Sequence, residues 1–288
     1  MKNLKRLLLI SLFFISLSCS VTKHQKKGTV LPEKFNYETE FTTIQTVMII
    51  PSKINGISKN FIFDTGAQFS AIHRDSTIGS LINVGGVSER SIKAGSEIVE
   101  SFKIGSVEFL GTIAVNFDMT GLKEQIPNFG GIIGQPIIEK ANWLIDYPNK
   151  KLCITNKKLT DNTFKKIKLK SKDGTPYTNI SISGTEYNVV IDFGSGFELT
   201  IPSGSKLAEK LLNEYDFEDD EQEIYSIGGL QMITQKVGVV PLVKLGDMEF
   251  ENVSTKISVQ DELSIGIGFF KNCIIYIDNQ ENSYKIKQ

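Results

Sequence analysis

The 288-residue chain is poor in the side chains that metal and nucleophile sites need: two histidines, His24 and His73, and three cysteines, Cys19, Cys153 and Cys273. His24 falls in a polar N-terminal stretch, so neither a zinc site nor a Ser-His-Asp triad finds support, and no metal is expected. The cysteines are too far apart in sequence for a paired-thiol motif, and whether Cys153 and Cys273 pair is not legible from spacing; each reads as a small apolar residue. Charge of either sign is not in excess, with 32 Lys and Arg against 33 Asp and Glu. That balance lacks the basic footprint of a nucleic-acid partner. The acidic stretch from Glu214 to Glu221 lacks the alternating ligands and central glycine of a calcium loop, and reads as a solvated insertion. No nucleotide motif is present, and no cofactor is expected.

Long apolar runs are also scarce. One spans Leu7 to Ser18, behind a basic start, Met1-Lys2-Asn3-Leu4-Lys5-Arg6. It falls short of the roughly 20 apolar residues that a membrane span requires, and reads as a bacterial export signal. Ser18 before Cys19 resembles a lipobox, in which the cysteine becomes the lipidated N-terminus; cleavage after Ser18 to give a soluble secreted protein is the alternative. Residues 1–19 are then the signal with its lipidation cysteine, and residues 20–34 a flexible polar tether. The expected location is the bacterial cell envelope, lipid-anchored at Cys19 and facing the periplasm or the exterior.

The rest of the chain is glycine-rich and carries short runs of Val, Ile, Thr and Phe, such as Thr46-Val47-Met48-Ile49-Ile50, Phe61 to Phe63, Ile113 to Val115, Val189 to Ile191, Val237 to Val243 and Ile274 to Ile277. These predict an all-β fold. Helical periodicity is confined to Ser205–Tyr215, where Leu207, Leu211 and Leu212 share a face, and to one turn from Pro136 to Lys140. Length is a soft prior for two domains, and 40% hydrophobic content suffices for a core in each. The lysine-rich stretch 156–172 divides them, and its lysines alternating with Ile167 and Leu169 suit a solvated edge strand.

The two parts repeat. Phe63-Asp64-Thr65-Gly66-Ala67 is echoed 128 residues later by Ile191-Asp192-Phe193-Gly194-Ser195. Asn55-Gly56 matches Ser183-Gly184 at the same offset, whereas Gly134 matches Gly266, and Asp146 matches Asp278, at an offset of 132. In between, Gly85-Gly86 and Gly228-Gly229 are 143 apart. Duplication keeps order and confines length changes to loops, here expected in 204–223 and 118–129. Two carboxylates held within hydrogen-bond distance cannot both ionise, so a paired Asp64 and Asp192 would share a proton and serve as acid and base. Glycine after each aspartate allows close approach of the two turns.

This series resembles the retropepsin-like and pepsin-like aspartic peptidases: a hydrophobic strand, an Asp-Thr/Ser-Gly turn, flap glycines, and a hydrophobic-hydrophobic-Gly segment in each half. The resemblance implies two β-barrel lobes, 35–155 and 156–288, related by a pseudo-two-fold axis with the active-site cleft between them. It implies an endopeptidase acting on peptide or protein through Asp64 and Asp192. Thr65, Gly66, Gly194 and Ser195 would support the dyad, Thr65 through a hydroxyl bonded to the other lobe, and Gly85, Gly86, Gly228 and Gly229 would be flap hinges. Because one chain supplies both aspartates, a monomer is expected. Phe193 departs from the pattern, standing where Thr or Ser would complete the cross-lobe clasp. A peptide-binding protein without turnover and a structural surface lipoprotein are the other readings.

Overall fold

Runs of β-branched and aromatic residues, broken by turns that Asn and Gly enter at low cost, make the protein mostly β. A computed structural model describes residues 26–85, 91–226, 229–260 and 262–288. The export signal, Cys19, His24, Gly86 and Gly228 lie outside the described residues.

The first half contains β1 (Thr29–Leu31), β2 (Asn36–Glu40), β3 (Thr42–Ile44), β4 (Val47–Ile54), β5 (Ile57–Phe63), β6 (Ser70–His73), β7 (Ser80–Gly85), β8 (Ser91–Ile104), β9 (Val107–Phe117), β10 (Phe129–Ile133), β11 (Asn142–Asp146) and β12 (Lys151–Thr155). The second contains β13 (Lys165–Lys168), β14 (Lys170–Lys172), β15 (Thr175–Ile182), β16 (Thr185–Asp192), β17 (Leu199–Pro202), β18 (Phe217–Ser226), β19 (Gly229–Leu245), β20 (Met248–Ser258), β21 (Ser264–Gly266), β22 (Ile274–Asp278) and β23 (Ser283–Lys287).

Pairing repeats between the halves. In the first, β4, β5, β10, β6, β9 and β8 bond in that order and β8 returns to β4, closing a ring. In the second, β15, β16, β21, β17, β20 and β19 do the same, with β19 returning to β15. Closure leaves the ring with no free edge. The opening hairpins turn at Asn55-Gly56 and Ser183-Gly184, where all four residues have positive φ, the geometry that follows strand twist in a two-residue turn.

A third sheet, ordered β13-β23-β22-β11-β12-β2, takes strands from both halves, with Trp143 opposite Ile277 and Leu144 opposite Tyr276. One continuous apolar cluster joins Phe61, Phe63, Phe109 and Trp143 of the first half to Ile191, Phe193, Phe270 and Ile277 of the second. The indole of Trp143 meets Phe63 edge-on at 5.0 Å and stacks on Phe109 at 6.2 Å. Its ring N–H donates to Ile138 O at 2.8 Å, so a large buried aromatic leaves no polar atom unpaired. The lysine-rich divider does form edges, β13 on the shared sheet and β14 on the second ring's sheet, with Lys165, Lys166, Lys168 and Lys170 exposed and Ile167 buried.

Several expectations need correction. The ordered fold begins before Phe35, because Thr29–Leu31 pairs with Glu108–Leu110 of β9; two apolar residues among polar ones gave too little periodicity to reveal a strand made by an outside partner. The segment 118–129 is not merely a loop, since it holds α1 (Thr120–Gln125), while α2 (Gln135–Ile138) is the expected turn of helix. The helix α3 (Lys206–Glu214) is capped by Ser205, whose side chain accepts from Ala208 N at 3.1 Å, and buries Leu207, Ala208 and Leu211. Leu212 does not share that face and is 38% exposed. The acidic stretch is solvated, with Glu214, Asp216, Glu218, Asp219 and Glu221 exposed, but it is not a loop: Phe217–Ser226 pairs residue by residue with β19 in a hairpin. Both Cys153 and Cys273 are free; Cys273 is buried, which pushes its thiol up to about 11, whereas Cys153 is only half-buried.

Candidate active site

Asp64 and Asp192 stand at equivalent ends of equivalent strands. Beside β5, Ile133 pairs with Phe63 and its carbonyl receives the N–H of Asp64 at 3.0 Å; beside β16, Ile265 pairs with Ile191 and Gly266 with Asp192. The loops that follow are tied alike, Gln135 N to Ala67 O and Ile267 N to Ser195 O, each at 3.0 Å. Hydrogen-bonded strands therefore fix both aspartates before any side-chain contact is made.

The two loops cross closely enough for each glycine to face the other half's acid. A β-carbon on Gly66 would lie 2.9 Å from Asp192 Oδ1, and one on Gly194 would lie 2.5 Å from both Cγ and Oδ2 of Asp64. Gly66 N and Ala67 N donate to Asp64 Oδ1 at 2.8 and 3.1 Å, and Gly194 N donates to Asp192 Oδ1 at 2.9 Å. The two carboxyls are close enough that each acts on the other's proton. Both residues keep partial solvent access.

Burial is the first cause of the raised pKa at each carboxyl, because dense protein around it disfavours charge. At Asp64 the charge and hydrogen bond of Asp192 push further the same way, and its carboxyl stands well above the ordinary range. At Asp192 the hydrogen bond from Asp64, the Gly194 N–H and the Lys256 ammonium oppose burial. The pair therefore shares one proton above the ordinary carboxylate range and gives up its two protons in coupled steps.

Thr65 is buried and clasps the second half with one hydroxyl. It donates to Ile191 O at 2.7 Å and accepts from Phe193 N at 3.0 Å. Its carbonyl accepts from the Gln135 side chain at 2.6 Å. Phe193 offers no reciprocal hydroxyl; its ring is 0% exposed and packs on Phe270 at 5.6 Å and Tyr284 at 6.2 Å. Where the clasp lacks a hydroxyl, an aromatic cluster holds the second turn from beneath. Phe193→Ala is accordingly expected to destabilise the fold by about 3–5 kcal/mol, measured as a lower midpoint in denaturant unfolding.

Ser195 takes part through its backbone, its N–H bonding to Asp192 O at 3.1 Å. Gly85 ends β7 opposite Ser91, and Gly229 begins β19 opposite Ser226, so both sit towards hairpin tips. No hydrogen bond among the described residues links either to the aspartates. A surface cavity of about 480 Å³ lined by Lys53, Lys59, Lys103 and Asn128 is separate from the aspartates and adds nothing to their chemistry.

Sequence reading missed Gln135, Tyr284 and Lys256. Gln135 follows the matched Gly134, yet its counterpart is Ile267, so the repeat gave no cue. Tyr284 is signalled only by tertiary packing. No protein-family model matches the chain, and no curated protein matches it.

Proposed function

We propose that the protein is an aspartic endopeptidase built as two pepsin-like β-barrel lobes about a pseudo-two-fold axis, with the substrate cleft between them. The observation that carries this reading is the crossing of two Asp-X-Gly turns, each glycine set against the opposite carboxyl. Supporting it are the matched ring pairings and the raised, coupled titration of the two acids. One chain supplies both acids, so the working form is a monomer. Lipidation at Cys19 would tether it to the cell envelope, with peptide or protein as substrate.

In this mechanism a water between the acids gives a proton to ionised Asp192 while its oxygen attacks the peptide carbonyl carbon. Asp64 passes its proton to the carbonyl oxygen, leaving a neutral gem-diol. The C–N bond then breaks as Asp192 returns its proton to the leaving nitrogen, and a gem-diol hydroxyl reprotonates Asp64. Atoms balance as peptide plus water to carboxylic acid plus amine. The non-catalytic peptide-binding alternative drew on Phe193; with the ring packed in the core and Thr65 making both cross-half bonds, that residue lends it no support.

The test is incubation of the full chain with a defined peptide library from about pH 3 to about pH 8, with products read by mass spectrometry. Expected is cleavage at internal bonds with a bell-shaped profile: activity falls on the acid side as the pair takes up its second proton, and on the alkaline side as it loses the shared one above the ordinary carboxylate range. Intact peptides at every pH would contradict the proposal.

A further inference from the structure

The faces of the two rings that carry the acids differ in a way the duplication does not require. Register partners in a sheet project to one face. In the second half Val190, Ser264, Thr200 and Lys256 are successive partners across β16, β21, β17 and β20, and Asp192 lies two residues beyond Val190 on that same face. In the first half the corresponding row is Ile62, Ile132, Ala71 and Val115, with Asp64 two residues beyond Ile62. That row is apolar and is packed by Met119, Leu122 and Ile126 from α1 and its flanks. The second row ends instead in a cation.

Lys256 is half-buried, with its ammonium 4.5 Å from the centroid of the Phe197 ring, in the loop that leaves Asp192. Among the described residues no carboxylate lies within 4.0 Å of it, although it is near enough to Asp192 to act on that charge. Thr200, its register partner, is 1% exposed and its hydroxyl has no hydrogen-bond partner. A half-buried cation without an ion pair carries a desolvation cost that a bound anionic group would relieve, and the unpaired Thr200 hydroxyl leaves the floor beside it polar.

We infer that Lys256, with Thr200 beside it, forms a subsite of the cleft that selects a substrate carrying an aspartate or glutamate side chain on the second-half side of the cleaved bond. The inference rests on the endopeptidase reading for its reaction, and on the geometry of the row for its ligand. Lys256 is a specificity-determining residue here; the proton transfers remain with the aspartates.

The experiment compares kcat/KM for peptide pairs that differ only by Glu against Gln, scanned through the positions flanking the bond, at about pH 6, where a glutamate side chain is ionised. Full-length protein is expected to prefer Glu at one position by roughly tenfold, a size typical of a half-desolvated charge contact. Lys256→Arg should keep the preference, Lys256→Met should bring the ratio to near unity, and Lys256→Glu should turn it towards Gln at that position. Loss of the lysine also raises Asp192, but that acts on both peptides of a pair and cancels in the ratio. No preference at any position, or a preference unchanged in Lys256→Met, would overturn the inference. If nothing is cleaved, the endopeptidase reading fails, and the same pairs are compared by calorimetric binding to the full-length protein. Tighter binding of the acidic member, lost in Lys256→Met, would still support the subsite, and equal binding would refute it.

Discussion

Asp64→Asn and Asp192→Asn are each expected to lower kcat by about ten-thousand-fold or more, because groups that act as one unit fail together when either is removed. In the proposed mechanism Asp192→Asn removes the base, and Asp64→Asn removes the acid that protonates the carbonyl oxygen. Peptide-cleavage kinetics for each variant check this, and survival of either at more than about one per cent of wild-type kcat would exclude a two-carboxyl mechanism. Stability separates lost chemistry from lost folding. Asp64 has a folded pKa raised above its unfolded value, so the stability linked to its proton is present below the unfolded pKa and is lost as pH rises through the folded one. Asparagine carries no such loss. Asp64→Asn should therefore melt above the wild type at neutral pH, with the gap closing below about pH 4.

Gly194→Ala is the second large effect. Its β-carbon would lie 2.5 Å from Asp64 Cγ and Oδ2 and 2.8 Å from Oδ1, so the acid must move. Catalytic displacement of about 1 Å costs roughly a hundredfold in rate, and forcing an extra methyl into a packed site costs about 1–3 kcal/mol. Gly66→Ala meets Asp192 Oδ1 at 2.9 Å and should be the milder of the two. Gly204→Ala, with nothing within 4 Å, is the control expected to change neither kcat nor melting temperature. Equal activity in Gly194→Ala and wild type would mean that the two turns do not cross in solution as described.

The parts of this arrangement visible in the sequence were those set by local chemistry and by repetition. Asn55-Gly56 and Ser183-Gly184 declare hairpins because positive φ has few tenants, and the 128-residue offset they share with Asp64 and Asp192 aligns the two aspartates. What stayed hidden depends on partners distant in sequence. Strand β1 exists through β9, and the acidic Phe217–Ser226 is a strand because β19 runs alongside it, overriding a composition that disfavours one. Phe193 was legible as a departure but not as a solution, since Phe270 and Tyr284, which receive its ring, are far along the chain. Lys256 stands out only when the rows of the two rings are laid over each other, which requires the register.

The most direct test of the central claim, that Asp64 and Asp192 form one proton-sharing pair, is a carbon-13 NMR titration of the aspartate side-chain carboxyls in the full-length protein, with Asp64→Asn and Asp192→Asn used to assign the two signals. The account predicts coupled titrations in two separate steps, the later one well above the ordinary carboxylate range, with each signal sensing both steps. Two independent titrations near the ordinary value of about 3.9 would contradict it.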